Sequence, residues 1–354
     1  MISAEVYAER LLAASMSTYE TLSTYVGLTL GWFAALAEHG PATSAELATR
    51  TGTQERYCRE FCEFQASLGT LTADDATDHR NRVFTLPPGP AEVLLDEHSL
   101  NYLGPLTRMA AAAGRRIDDL LTAYRDGGGV SWDTFGDDAR ESQAALNRPW
   151  FTQKLAPALA GVPELDAVLG RAGARILDVG CGGGWSTIAL AQAYPNASLV
   201  GVDIDAPSIE AARTAAGNSG LTDRVEFALA EGEALPESEP YDAAFAFECL
   251  HDMPRPVEVL SAVRSAVRPG GLVVIMDEAV ADEFTAPGSD IDRCMYGFSL
   301  FICLPDGMAS SPSAGTGTVM RRPVLTEYAR SAGFAEVAVL PVEDFAFFRF
   351  YRLS

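Results

Sequence analysis

Two carboxylates and two glycines stand at a spacing that could hold a polar, cationic ligand. Asp178 precedes Gly180 and Gly182, and Asp203 follows about 20 residues on, where a ribose-hydroxyl acceptor is expected. Residues 176–179 read as a buried strand, Gly180-Cys181-Gly182-Gly183-Gly184 as a turn, and residues 185–193 as a helix. Glycines let the backbone approach a ligand closely and adopt positive φ. The pattern differs from the G-x-G-x-x-G fingerprint that seats a pyrophosphate at a helix N-terminus. An acid directly ahead of the glycines repels a phosphate and suits an ammonium group. His251 is the second chemical candidate. It follows Phe247-Glu248-Cys249-Leu250 at the end of an apolar run, and open sheets bind ligands at the carboxyl ends of strands. Histidine titrates near neutrality and suits general-base work. The neighbouring Asp252 is expected to point elsewhere on its turn. The bland alternative has His251 capping the helix that follows Pro254. The other histidines, His39, His79 and His98, lie near a helix end or in acidic stretches.

These residues need a scaffold, and the flanking pattern supplies one. Residues 199–203 and 225–229 read as strands, the second running into the acidic turn Ala230-Glu231. Residues 241–248 form another strand ending in an acid. Residues 259–267 are an amphipathic helix, stopped by Arg268-Pro269-Gly270-Gly271. Residues 272–276 are an apolar strand and 277–283 an acidic loop. Residues 334–340 and 345–353 are the last two strands.

In this order, residues 174–276 resemble the core of class I S-adenosylmethionine-dependent methyltransferases. The resemblance is carried by Asp178-Val179-Gly180-Cys181-Gly182-Gly183-Gly184, Asp203, Ala230-Glu231, Phe247-Glu248 and Arg268-Pro269-Gly270-Gly271-Leu272. It implies an α/β fold, with a Rossmann-like, mostly parallel sheet whose last strand is antiparallel. It implies S-adenosyl-L-methionine as cofactor. Asp178 would stand near the cofactor's amino-acid end, with Gly180 and Gly182 letting the backbone pass. Asp203 would accept from the ribose hydroxyls. Ile204 would lie against the adenine face, and Glu231 with Gly232 would meet the adenine end. Phe247 would end the strand that faces the methyl group, leaving His251 as the catalytic residue. Some relatives that methylate the β-carbon of α-keto acids hold iron through two histidines, one at the position of His251 and one before a Cys-Leu-Pro triplet. Here Ile302 precedes Cys303-Leu304-Pro305, so no metal is expected.

Residues 1–100 read differently. Helical periodicity covers 4–12 and 22–39, a short helix follows Gly40-Pro41 with an N-cap at Ser44, and a longer helix spans 55–68. Strands starting near Thr72 and over 82–86 form a two-stranded wing. The pattern is that of a winged helix-turn-helix, and many small-molecule methyltransferases of this class carry one for dimerisation. Residues 1–100 are thus expected to be a winged-helix and dimerisation domain, 101–165 a helical linker and lid, and 166–354 the cofactor-binding domain. DNA binding is the competing role. Arg56 and Arg59 of the would-be recognition helix are interleaved with Glu55, Glu60 and Glu63, and the wing is acidic.

Composition narrows the function classes. The 354 residues suggest two domains, and 48% apolar residues can bury a sizeable core. The formal charge is −22, and Lys154 is the only lysine, a balance hostile to nucleic acid. No apolar run reaches membrane-spanning length, and the N-terminal residues lack a secretory pattern. A cytoplasmic protein, without nucleic-acid or membrane partners, is expected. Cys58, Cys62, Cys181, Cys249, Cys294 and Cys303 are scattered in a way that suits unbridged thiols. The leading expectation is methyl transfer to oxygen or carbon of a hydrophobic small-molecule acceptor, by a homodimer. Tyr19, Tyr25, Trp32, Trp150, Phe298 and Phe301 are candidate substrate walls. The alternatives are a relative that binds the same cofactor but catalyses cyclisation or decarboxylation, and a DNA-binding regulator.

Overall fold

The computed structural model describes residues 2–236 and 239–354. Met1, the first residue of the expected N-terminal domain, lies outside them, as do Glu237 and Ser238. The chain divides into two compact units, one of residues up to 115 with 141–149, the other of 116–140 with 150–354.

In the first unit, α1 (Ala4–Thr29) and α2 (Trp32–His39) are separated by Gly31 at φ 72°. Residues 13–21, outside both expected helical stretches, continue α1, and the interruption falls instead at Leu30–Gly31, inside the expected 22–39 stretch. Ser15, Thr18, Thr21 and Thr24 each donate a hydroxyl hydrogen bond of 2.9 Å to the carbonyl four residues back, so these side chains are satisfied within the helix, although such back-bonding by itself slightly disfavours it. Next come β1 (Ala42–Thr43), α3 (Ser44–Thr51) and α4 (Glu55–Leu68). The N-cap of α3 is Thr43, one residue before the expected Ser44. Thr43 and Glu46 form a reciprocal capping box, and Ser44 instead donates to Glu55 at 2.7 Å. The wing strands β2 (Thr72–Ala73) and β3 (Val83–Thr85) join β1 in a three-stranded sheet of order β1-β3-β2. Trp32, Phe33, Leu47, Phe61 and Phe84 form the core of this unit. Helices α5 (Pro88–Leu95) and α6 (Gly104–Gly114) follow.

The second unit opens with α7 (Ile117–Asp126), the short α8 (Trp132–Phe135) and the start of α9 (Asp137–Trp150). A π-turn over Phe151–Leu155 then leads into α10 (Ala156–Ala160) and α11 (Pro163–Leu169). The sheet strands are β4 (Arg175–Val179), β5 (Ser198–Asp203), β6 (Val225–Leu229), β7 (Tyr241–Phe247), β8 (Val267–Glu278), β9 (Val337–Val339) and β10 (Phe348–Leu353). Between them lie α12 (Trp185–Ala193), α13 (Ala206–Asn218), α14 (Pro256–Ala266), α15 (Asp290–Phe298), α16 (Leu304–Gly307) and α17 (Arg322–Ser331). Strand order is β6-β5-β4-β7-β8-β10-β9, parallel except that β10 runs antiparallel to β8 and β9. The hairpin of the last two strands closes one edge, as the sequence predicts.

Side chains alternate across this sheet. Ile176, Phe245 and Val274 enter the core on one face, while Leu177, Ala244 and Val273 enter the core on the other. Burial on both faces explains the continuous apolar runs, and each fully buried large side chain contributes about 1.5–3 kcal/mol. One expectation fails here. Residues 277 and 278 are not an acidic loop. They extend β8, pair with Arg349 and Phe348 of β10, and are buried.

Candidate active site

The sheet reverses its winding between β4 and β7, so a crevice lies beyond the carboxyl ends of these strands. Asp178 and Asp203 stand at the ends of β4 and β5, and Asp277 and Glu278 at the end of β8. His251 follows β7 in a single 3-10 turn.

The glycine turn is built on special backbone. Gly180 has φ +70°, and a Cβ there would stand 2.6 Å from Cys249 Sγ. Gly182 has φ +49° with open space where its Cβ would be, and its N–H donates to Asp203 Oδ2 at 2.8 Å. The N–H of Asp205 donates to Asp203 Oδ1 at 2.9 Å, so both oxygens of Asp203 are oriented by backbone. Asp178 is buried, and Ser186 and Thr187 of α12 both donate to its Oδ2 at 2.6 Å. Its other oxygen is buried with no hydrogen-bond partner among the described residues. Burial pushes the Asp178 carboxyl up to about 6, against the two hydroxyl hydrogen bonds. Burial likewise raises Asp203, opposed by its backbone donors. A cationic group beside Asp178 would satisfy the orphan oxygen and favour its charged form.

The other expected cofactor residues differ in setting. Ile204 is 68% exposed, an apolar face open to a ring. Glu231 is exposed and lies 3.4 Å from Arg255. Gly232 packs closely, since a Cβ there would meet the Val259 methyls at 3.2 Å. Phe247 sends its ring into the core, 5.1 Å from Phe245 and 5.7 Å from Phe151.

His251 is 2% exposed and ringed by acids. Its Nδ1 lies 2.9 Å from Asp277 Oδ1 and 3.3 Å from Glu278 Oε2, and its Nε2 lies 3.3 Å from Asp252 Oδ1. The expectation that Asp252 points away is therefore corrected. The tight turn after Glu248, itself at φ 54°, folds Asp252 back beside the ring. Burial pulls the imidazole pKa down, but Asp252, Asp277, Glu278 and the hydrogen bond to Asp277 outweigh it. The net value lies well above the ordinary one. For Asp277, burial is the largest influence, but His251 and the Glu278 hydrogen bonds win and hold it ionised. Burial, Asp277 and Glu248 push Glu278 well above its ordinary value, against the pull of His251. An imidazole held at Nδ1 by a buried carboxylate exchanges protons at Nε2, here on the side where Asp252 stands. Donor atoms of His251, Asp252 and Cys303, and of His251, Asp277 and Glu278, also lie within 4.8 Å of one another, close enough to share an ion.

Sequence reasoning missed Asp277 and Glu278, because only pairing with β10 buries them. It also missed Asp306. Asp306 Oδ1 accepts from the Trp132 N–H at 2.7 Å, and burial with nearby Asp252 pushes its carboxyl up to about 7.

Comparison with known proteins matches this architecture. A methyltransferase-domain family model covers residues 171–297, and a Rv2258c-like winged HTH domain model covers 19–95. The mitomycin 7-O-methyltransferase MmcR superposes with a TM-score of 0.76 over 99% of this chain and 98% of its own, at 20% identity. The fold is that of a class I methyltransferase. Behind its winged-helix domain, this methyltransferase-fold chain is also similar in structure to human N-acetylserotonin methyltransferase, solved with S-adenosylmethionine. That TM-score is 0.68 over 100% of this chain and 99% of the other, at 19% identity. In sequence, it is 35% identical over 143 residues to the 27-O-demethylrifamycin SV methyltransferase of Amycolatopsis mediterranei (strain S699), covering 40% of this chain and 50% of that one. The chain spans about half the length of the curated relatives it matches. Among the described residues, no helix is long and apolar enough to cross a membrane.

Proposed function

We propose that this chain transfers a methyl group from S-adenosylmethionine to an oxygen atom of a hydrophobic small molecule. The observation that carries the reading is His251. Its imidazole is held by Asp277 at 2.9 Å, beyond the strand that adjoins the acidic glycine turn. The cofactor, when bound, supplies an electrophilic methyl and its own leaving group. The protein supplies the rest. The orphan oxygen of Asp178 would receive the ammonium, and the backbone-fixed carboxylate of Asp203 would accept from the ribose hydroxyls. Ile204 would offer an apolar face to the adenine, and Glu231 and Gly232 would border it. The backbone at Phe247 ends the strand beside the transfer site. His251 takes the hydroxyl proton at Nε2, and Asp277 stabilises the imidazolium that forms. Holding both reactants in line can supply ~7–11 kcal/mol of the barrier, and general-base help about 10²–10⁴-fold in rate.

The test is incubation with methyl-labelled cofactor and a panel of phenolic and polyketide-like acceptors, read by mass spectrometry. Label in the product with equimolar S-adenosylhomocysteine supports the reading. Acceptor turnover with no S-adenosylhomocysteine overturns it in favour of cyclisation or decarboxylation.

The partner of the N-terminal domain is, in this reading, a second copy of the chain. Val6, Tyr7, Leu11, Leu12, Met16, Tyr19, Leu22 and Val26 are 41–66% exposed along α1. At 1.5 Å per residue this helix is about 39 Å long, an apolar surface on a scale that marks an interface. Nucleic acid is disfavoured as partner. On α4, Arg56 pairs with Glu60 at 2.5 Å and Arg59 with Glu55 at 3.5 Å, which neutralises the cations a phosphate would need. Residues 101–165, the expected linker and lid, divide between the two units: 101–115 and 141–149 belong to the first, 116–140 and 150–165 to the second. The free cysteines suit a reducing cytoplasm.

A further inference from the structure

Gly127 and Gly128, at φ +82° and +83°, and Gly136, at φ +78°, bracket a short strap that contains α8. One end of the strap is fastened to the 305–309 segment, which packs against the Asp252 backbone, and the other to Asp205 at the start of α13. At the first end, the Val130 N–H donates to the Pro305 carbonyl at 2.9 Å and the Trp132 N–H to Asp306 at 2.7 Å. A side chain at Gly129 would collide with the backbone of 305–309. Asp306 lies within electrostatic reach of Asp252, Asp203 and Asp205. At the far end, Arg140 in the first turn of α9 is 11% exposed and Asp205 9% exposed. The guanidinium grips Asp205 through Nε–Oδ2 at 2.6 Å and Nη2–Oδ1 at 2.9 Å. Arg140 also holds Asp137 at 2.7 Å and lies 3.5 Å from Asp133, gathering the strap's own acids.

Asp205 is more than a surface partner. It N-caps α13 by accepting from the Ser208 N–H at 3.0 Å, and its own N–H orients Asp203. Arg140, Asp205 and Asp203 therefore form one chain of contacts from strap to ribose acceptor. A bidentate guanidinium–carboxylate pair is directional as well as strong, and burial shields it from screening by salt. Removing the cation would leave Asp205 buried without its counter-charge.

We propose that Arg140 is a positioning residue: through Asp205 it latches the 127–136 strap across the cofactor crevice and couples strap closure to cofactor binding. The proposal rests on the methyltransferase reading. If closure and binding are coupled, each must favour the other by the same factor. Positive-φ glycines at both ends would let the strap swing without displacing the sheet, while the latch sets how often it opens.

The experiment uses the full chain. Calorimetry with S-adenosylmethionine and S-adenosylhomocysteine gives Kd, stopped-flow competition gives the S-adenosylhomocysteine release rate, and hydrogen exchange reads the amides of Val130 and Trp132. In the wild type, S-adenosylhomocysteine should increase protection of those amides. Arg140→Ala should raise both Kd values and the release rate about tenfold or more, with fast exchange in the strap whether or not ligand is added. Arg140→Lys keeps the charge but loses the fork, and should recover part of the affinity. It also serves if the alanine variant fails to fold. Asp205→Asn retains a capping acceptor, and should match Arg140→Ala, with no further loss in the double variant. Wild-type affinity and strap protection in Arg140→Ala would overturn the latch, as would full additivity in the double variant. No heat with the wild-type protein would instead overturn the cofactor reading, and the coupling with it.

Discussion

His251 concentrates the chemistry at the scale of the residue. If it takes the acceptor's proton, His251→Ala should lower kcat by about 10²–10⁴-fold, while calorimetry finds cofactor affinity nearly unchanged. Lost cofactor binding would assign the residue to support of the strand end. The surrounding acids raise the imidazole well above its ordinary value, and only the neutral ring is a base. The kcat/KM profile should therefore climb with pH through a limb above the usual histidine range, and Asp277→Asn should move that limb down. Asp178 predicts a different dependence. Its carboxyl titrates at about 6, and only its anion attracts an ammonium. Cofactor affinity should fall as pH drops through 6, approaching tenfold per unit, and the slope should flatten in Asp178→Asn. A slope retained in that variant would assign the effect to Asp203. The ion-sized grouping around His251 yields a further test. With its Nδ1 bound to Asp277 and Glu278 shifted toward its neutral form, a chelator should leave turnover unchanged. Inhibition reversed by ferrous iron would assign the cluster to a metal, completed by acids rather than by the histidine that Ile302 replaces.

At the scale of the element, the turn between β4 and α12 is the most constrained piece of backbone. Gly180 combines a left-handed conformation with a neighbour, Cys249 Sγ, 2.6 Å from where a Cβ would sit. Gly180→Ala should cost about 1–3 kcal/mol from strain and overpacking together. The variant should melt several degrees lower and bind cofactor weakly. An unchanged melting temperature would show that Cys249 moves aside at little cost. The strand β8 makes the complementary point. Its last two residues read as loop because acids seldom sit inside sheets, yet pairing with β10 buries them against His251.

At the scale of the whole molecule, the exposed apolar face of α1 calls for a partner. Light scattering should find a dimer at micromolar concentration, and Leu11→Glu with Met16→Glu should shift it to monomer with little loss of helicity. A wild-type monomer would refute self-association. Much of the fold was legible from local pattern alone. Turn glycines and apolar runs marked α4 and α12 at their observed bounds and placed the strands that carry Asp178, Asp203 and Phe247. Less local features escaped. Residues 13–21 continue α1 although hydroxyl side chains are neutral to unfavourable inside a helix, so local propensity does not reveal the continuity.

The sequence by itself determined the acidic glycine turn, the alternation of apolar strands with helices, and His251 as the candidate base. These follow from φ preferences and burial periodicity, which act over a few residues. Only the tertiary structure decided what surrounds those groups. The contacts of Asp277 and Glu278 with His251, and the grip of Arg140 on Asp205, join positions far apart in the chain. A charge interacts with whatever the fold brings within a few ångströms. The protonation state of the candidate base and the hold on the strap are therefore properties of the packed sheet rather than of any local motif.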